Sequence, residues 1–214
     1  MNKLIALLAT LLLPFHVQAI QINSIGDSWT VDWLVSASTT AGLSSDLTAT
    51  SDWLVTSFTS TSITLDISIT NTTTLTSLLT NADITTFGFG IDPNATASIL
   101  TAGSTFDMAG SGSGPQQTFP GGFKDIDICI FASGCAGGTV NDALHAGDTD
   151  FLQILLAGDF SGGTADLIFF PLKFQTNQGS YEPGGSIPEP PLLSLLVIGL
   201  FGIGMVKLGR RKAA

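Results

Sequence analysis

From Ile63 to Thr70 the chain places apolar side chains at Ile63, Leu65, Ile67 and Ile69, and polar ones at Thr64, Asp66, Ser68 and Thr70. A period of two sends alternate residues to opposite faces of an extended chain, so the segment predicts a strand with one face buried. Trp29, Val31, Trp33 and Val35 alternate with Thr30, Asp32, Leu34 and Ser36 in the same way. Their β-branched and aromatic content favours a strand over a helix. Further strands are expected at residues 47–58, 84–91, 124–131, 150–156 and 165–174. Turn chemistry separates them: Asp92-Pro93-Asn94, residues 110–115, Pro120-Gly121-Gly122, Gly137-Gly138 and Gly162-Gly163,. About seven or eight short strands with such breakers predict an all-β fold, a single antiparallel β-sandwich, with a small barrel as the alternative.

Residues 56–76 hold 13 Ser or Thr among 21. Their regular apolar positions assign them to strands with polar outer faces rather than to a low-complexity linker. Asn71-Thr72-Thr73 and Asn94-Ala95-Thr96 match the glycosylation acceptor pattern, but that pattern is short and frequent by chance, and both asparagines are read as turn residues. Trp29, Trp33 and Trp53 raise the idea of a sugar-stacking platform. Alternation puts Trp29 and Trp33 on one face with Val31 and Val35, so burial in the core is the expectation.

The two ends follow a different pattern. Lys3, an apolar run over residues 4–13 and Val17-Gln18-Ala19 read as a secretory signal over residues 1–19, cut after Ala19,. A run of ten residues is too short to span a bilayer. At the other end stand Pro188-Glu189-Pro190, then an apolar stretch over residues 191–208, with Lys207, Arg210, Arg211 and Lys212 at its close. The 18 residues of that stretch would make a helix about 27 Å long, enough for one transmembrane span. The basic cluster places residues 207–212 in the cytoplasm and everything before Pro188 on the other side.

A Pro-Glu-Pro triplet, a short Gly/Leu-rich hydrophobic segment and a terminal Arg/Lys cluster, in that order, resemble the PEP-CTERM sorting signal of Gram-negative bacteria. The resemblance implies that Pro188, Glu189 and Pro190 are read by an exosortase, a membrane-embedded transpeptidase-like enzyme, so that the chain is a substrate rather than a catalyst. Gly26-Asp27-Ser28-Trp29-Thr30-Val31, Ile69-Thr70-Asn71-Thr72, the run from Ile84 to Pro93, and Ile128-Cys129 to Cys135-Ala136-Gly137-Gly138 resemble the ectodomains of the cistern-family PEP-CTERM group. That group brings no activity with it. The expected organisation is a signal peptide at 1–19, a sandwich at 20–177, a flexible Gly/Ser/Glu/Pro-rich linker at 178–187 and the sorting signal at 188–214. The expected route is Sec translocon, signal peptidase, single-pass residence in the inner membrane with the domain in the periplasm, then the cell surface or extracellular matrix.

Charge narrows the partners. Residues 20–187 carry 15 Asp and Glu182 against Lys124 and Lys173, a formal charge of −14 with no arginine. Such a surface lacks the cationic footprint that nucleic acid demands. Cys129 and Cys135, spaced C-x₅-C around Ser133-Gly134, suit a disulfide closing a small hairpin loop in an oxidising compartment, and the competing zinc site lacks ligands.

Candidate chemistry is sparse. His145 is the one histidine after residue 19, and no G-x-S-x-G elbow or phosphate-binding glycine motif occurs,. Asp125 with Asp127, or Asp148 with Asp150, would stand about 7 Å apart on one strand face. Such pairs are routine on solvated faces, and no cofactor is implied. A calcium site would draw first on Asp148 and Asp150, or on Asp159 near Gly162-Gly163. The reading is a noncatalytic exported surface or matrix protein in an exopolysaccharide-rich setting, and the alternative is a carbohydrate- or calcium-dependent binding module of the envelope.

Overall fold

The computed structural model describes residues 19–111, 119–123 and 126–188. Residues 1–18 of the expected secretory signal 1–19, residues 112–115 of the expected turn, Lys124 and Asp125, and the tail from Glu189 onward with its 191–208 span, Arg210, Arg211 and Lys212 lie outside the described residues. Among the described residues no helix is long and apolar enough to cross a membrane.

Twelve strands form the body: β1 (Ile20–Ile22), β2 (Ser28–Val35), β3 (Leu47–Phe58), β4 (Ser62–Asn71), β5 (Ala82–Asp92), β6 (Ala95–Thr101), β7 (Met108–Ser111), β8 (Ile128–Phe131), β9 (Thr149–Gly158), β10 (Ala165–Ile168), β11 (Leu172–Thr176) and β12 (Gly179–Tyr181). Two antiparallel sheets pack as a sandwich. One is five-stranded in the order β2-β3-β4-β9-β6, and the other runs β1-β10-β5-β11-β12, with β8 paired to β5 and β7 to β8. Strand β4 alternates buried and half-buried residues along its whole length, as its period of two requires,. Residues 82–91 of β5 are buried throughout, because this strand has the opposite sheet on one face and the disulfide region on the other.

Trp53 is the hub of the core. Its ring lies 5.6 Å from Trp29 in a stacked pair and meets Phe87, Phe89 and Phe170 edge-on at 6.2, 5.4 and 5.6 Å, geometries favoured by the aromatic quadrupole. Its Nε1–H donates to Ser51 Oγ at 2.6 Å, which satisfies the buried indole. On the outer side of β5, Phe119, Cys129 and Cys135 form a second cluster with Phe123, Ile126 and Phe131 packed on it. Gly88 permits that approach, since a Cβ there would stand 2.5 Å from the Ile128 carbonyl oxygen.

The sandwich expectation holds; the expected strand 47–58 is β3, and the expected strand 84–91 lies within β5. Three details differ. The expected strand 165–174 is split into β10 and β11, because Phe169 and Phe170 take positive φ angles of 74° and 37°; three residues, 169–171, sit opposite Gly88 and Phe89, and the chain bulges,. Four further strands, β1, β6, β7 and β12, raise the total above eight; β1, β7 and β12 have only three or four residues, too few to show a period, while β6 alternates half-buried and exposed residues along most of its length. Asn71 is no turn residue: it ends β4, fully buried, and its amide donates to the Ala82 and Leu144 carbonyls at 2.8 and 3.0 Å.

The composition of residues 178–187 suggests a flexible linker, yet this segment is hydrogen-bonded to the body. Gly179–Tyr181 is strand β12, paired to β11. Leu172 N–H donates to the Pro183 carbonyl at 3.0 Å and Gly185 N–H to the Phe170 carbonyl at 2.7 Å. Ser186 and Asp32 exchange both backbone bonds at 2.8 Å, and Ile187 packs against the core. The strap therefore crosses from one sheet to the edge strand β2 of the other. The bulge at Phe170 explains why: its carbonyl also accepts the Trp33 Nε1–H at 2.7 Å, giving the strap a fixed acceptor. Composition favours disorder only where no partner is at hand, and here the bulge and the β2 edge supply one.

Candidate functional site

The outer face of the five-stranded sheet carries a groove of about 750 Å³. Its lining follows from strand register. One row across the sheet runs Thr30, Asp52, Ser68, Phe151 and the next runs Ser28, Leu54, Asp66, Gln153, Thr101. Asp66 sits in the middle, directly opposite Leu54 on one side and Gln153 on the other, with Asp52 and Phe151 on its diagonals at about 7 Å,. Phe151 is 66 % exposed and Leu54 41 % exposed, so the groove offers an aromatic and an aliphatic shelf in two rows that are otherwise Ser, Thr, Asp and Gln. Lateral hydrogen bonds hold the carboxylates: Thr30 Oγ1 donates to Asp52 Oδ1 at 2.7 Å, and Gln153 Nε2 to Asp66 Oδ1 at 2.6 Å. Each pair engages one carboxylate oxygen. Trp29 borders the groove between Ser28 and Thr30, and its buried Nε1–H has no acceptor among the described residues.

A polar pocket lies elsewhere, lined by Ser104, Thr105, Asp107, Asp142, His145 and Asp148 among others. His145 Nδ1 lies 2.7 Å from the buried Asp83 Oδ1. A hydrolytic triad needs a hydroxyl hydrogen-bonded to the other imidazole nitrogen, but the pocket's Ser104 gives its Oγ–H to Asp150 at 2.9 Å. Among the described residues, the geometry pairs an imidazole with a carboxylate but brings no hydroxyl into hydrogen-bond contact with that imidazole.

The calcium candidates separate. Asp150 is buried and accepts from Ser104 N–H at 2.6 Å, Ser104 Oγ–H at 2.9 Å, Thr105 N–H at 3.1 Å and Phe106 N–H at 2.8 Å. Burial alone would raise its pKa, but the Phe106, Ser104 and Thr105 donors outweigh it and hold the carboxyl below its ordinary value,. Asp148 is exposed at the pocket rim. With one carboxylate saturated by donors, the pair does not fit a calcium ligand set, and no group of three or more His, Cys, Asp or Glu among the described residues is placed to hold a metal,. Asp159 closes its own turn, accepting from Ser161 N–H at 3.1 Å, and Asp127 accepts from Ile91 N–H at 2.8 Å.

Cys129 and Cys135 form a disulfide with a Cα–Cα separation of 5.9 Å. The loop it closes is tied to β11, because Lys173 Nζ donates to the Ala136 carbonyl at 3.0 Å and lies 3.9 Å from Glu182 Oε1. All three tryptophans are buried, as their alternation predicts; the large apolar side chains exposed on the groove are Phe151 and Leu54. Sequence phase could have found these two, since Leu54 is out of step with Trp53 and Val55, and Phe151 with Leu152 and Ile154. Ala19 and Pro188 both border a smaller groove at one end of the sandwich with Ile20, Ile187 and Trp29. No protein-family profile, curated protein or solved structure matches the chain.

Proposed function

We propose that this chain is an exported, noncatalytic protein of the cell surface or extracellular matrix, sorted by its Pro188-Glu189-Pro190 signal and processed there by an exosortase. The observation that carries the reading is the order of triplet, apolar segment and Arg/Lys cluster, which begins two residues after the Ser186–Asp32 pairing. A cut at the triplet would leave every paired strand intact. Signal cleavage after Ala19 would fall at the same end of the sandwich, so both processing points would face the membrane that carries the two proteases. The disulfide is compatible with a periplasmic route,.

In this reading the Sec translocon, signal peptidase, inner membrane and exosortase are successive partners, and the delivered body works by being present and by binding. The second reading, a binding module of the envelope, is favoured by the groove over β3, β4 and β9; its calcium-dependent form is not, because Asp150 is already saturated. Replacing Pro188, Glu189 and Pro190 by alanine in the native host tests the sorting. The variant should stay in the membrane at full length, and release at the wild-type rate would overturn the proposal.

A further inference from the structure

We propose that the groove on the outer face of the five-stranded sheet binds an extended polysaccharide of amine-bearing sugars, with Asp66 and Asp52 holding the ammonium groups and Phe151 and Leu54 receiving the apolar faces of the rings. The assignment rests on the sheet face and stands independently of the sorting signal.

Charge decides the class of ligand. The groove is lined by Asp52 and Asp66 and by no Lys or Arg, within a domain whose formal charge of −14 comes from 16 acidic residues and two lysines. A uronic-acid polymer would be repelled, and an amine-bearing one attracted. Shape decides that it is a sugar. Phe151 and Leu54 are separated by β4, roughly two strand spacings or about 10 Å across the sheet, with Asp66 between them in projection,. A flat apolar face followed by a carboxylate suits a pyranose, which is apolar on one face and polar around its edge. The Thr30–Asp52 and Gln153–Asp66 bonds hold the carboxylates in place before any ligand arrives, so little side-chain ordering is left to binding. Strands repeat across the sheet about every 4.8 Å, a spacing comparable to one sugar unit in an extended chain. Trp29, next to the Ser28 end of the groove, gives the site an intrinsic fluorescence reporter.

The test is calorimetric titration of the full chain in detergent micelles at mildly acidic pH, with an oligosaccharide of β-linked glucosamine, its fully N-acetylated counterpart, an oligogalacturonate and an oligolysine. The glucosamine oligomer should bind saturably and more weakly as salt is raised. Asp66→Asn and Phe151→Ala should each weaken it about tenfold while leaving the melting temperature within about 2 °C, as expected for surface positions; Leu54→Ser serves if Phe151→Ala proves unstable. Absence of saturable binding overturns the proposal. Equal affinity for the N-acetylated oligomer overturns the ammonium–carboxylate assignment. Equal affinity for oligolysine, unchanged by Phe151→Ala, would reduce the site to general acidity and also overturn it.

Discussion

Asp150→Asn is the most informative single substitution in the body. Asp150 occupies an inward position of β9, opposite Ile69, and its four donors belong to the loop that follows β6. That loop delivers Phe106, fully buried, edge-on to Phe87 at 5.0 Å. A Cβ on Gly103 would overlap the Asp150 carboxylate, so the loop is folded tightly around it. Asparagine keeps the shape, but its amide nitrogen faces donors. One oxygen's pair, Ser104 N–H and Oγ–H or Thr105 and Phe106 N–H, is left without an acceptor. At about 1–3 kcal/mol for a buried donor left unsatisfied, and with Phe106 buried but Ser104 exposed, the loss is about 2 kcal/mol, and for a domain of this size the melting temperature should fall by about 4–8 °C. The pH dependence has a fixed sign. The folded pKa of Asp150 lies below its ordinary value, so the native carboxylate adds stability above the unfolded value of about 3.9, and this contribution is lost as pH falls through the folded pKa. Melting followed by tryptophan fluorescence should therefore show the wild type and the variant far apart at neutral pH and converging in acid. A variant that melts within about 2 °C of the wild type at neutral pH, or a gap that persists unchanged in strong acid, would refute this account of the loop.

Trp53→Ala removes the ring that meets Trp29, Phe87, Phe89 and Phe170 and should cost about 3–5 kcal/mol in chemical denaturation. Reducing the Cys129–Cys135 bond, or replacing both cysteines by serine, should cost about 2 kcal/mol because the closed loop is short,; a loss confined to local protease sensitivity would show that the loop is uncoupled from β11. Ser186→Pro deletes the N–H that donates to the Asp32 carbonyl and should raise the rate of proteolysis within residues 182–188 before it changes the global melting temperature.

The sandwich was legible because its long strands carry a period of two. In β4 every second residue is buried, and in β2 the tryptophans share a face with Val31. The short strands had no such signal: β1 and β12 have three residues each. The strap was illegible for a different reason. Its backbone partners, the Phe170 carbonyl and the Asp32 edge, are 15 and 154 residues away from Gly185 and Ser186, and no local pattern reports a partner at that separation. Composition counted Gly184, Gly185 and Pro183 as flexible, while the fold uses Gly185 for close approach: a Cβ there would collide with Val31 Cγ1. The disulfide was legible from two cysteines in a short loop. The groove was half legible, since the phases of Leu54 and Phe151 can be read from the sequence, whereas their juxtaposition with Asp66 depends on the β3-β4-β9 register.

In the proposed sorting, the segment after Ile187 is recognised and removed by another enzyme. The most direct test of this is mass spectrometry of the carboxyl terminus of the native protein recovered from the cell surface or culture medium. The account predicts a terminus at or near Pro188-Glu189-Pro190, with residues 191–214 absent. Exported protein that still ends in Arg210-Arg211-Lys212 and the two final alanines would contradict it.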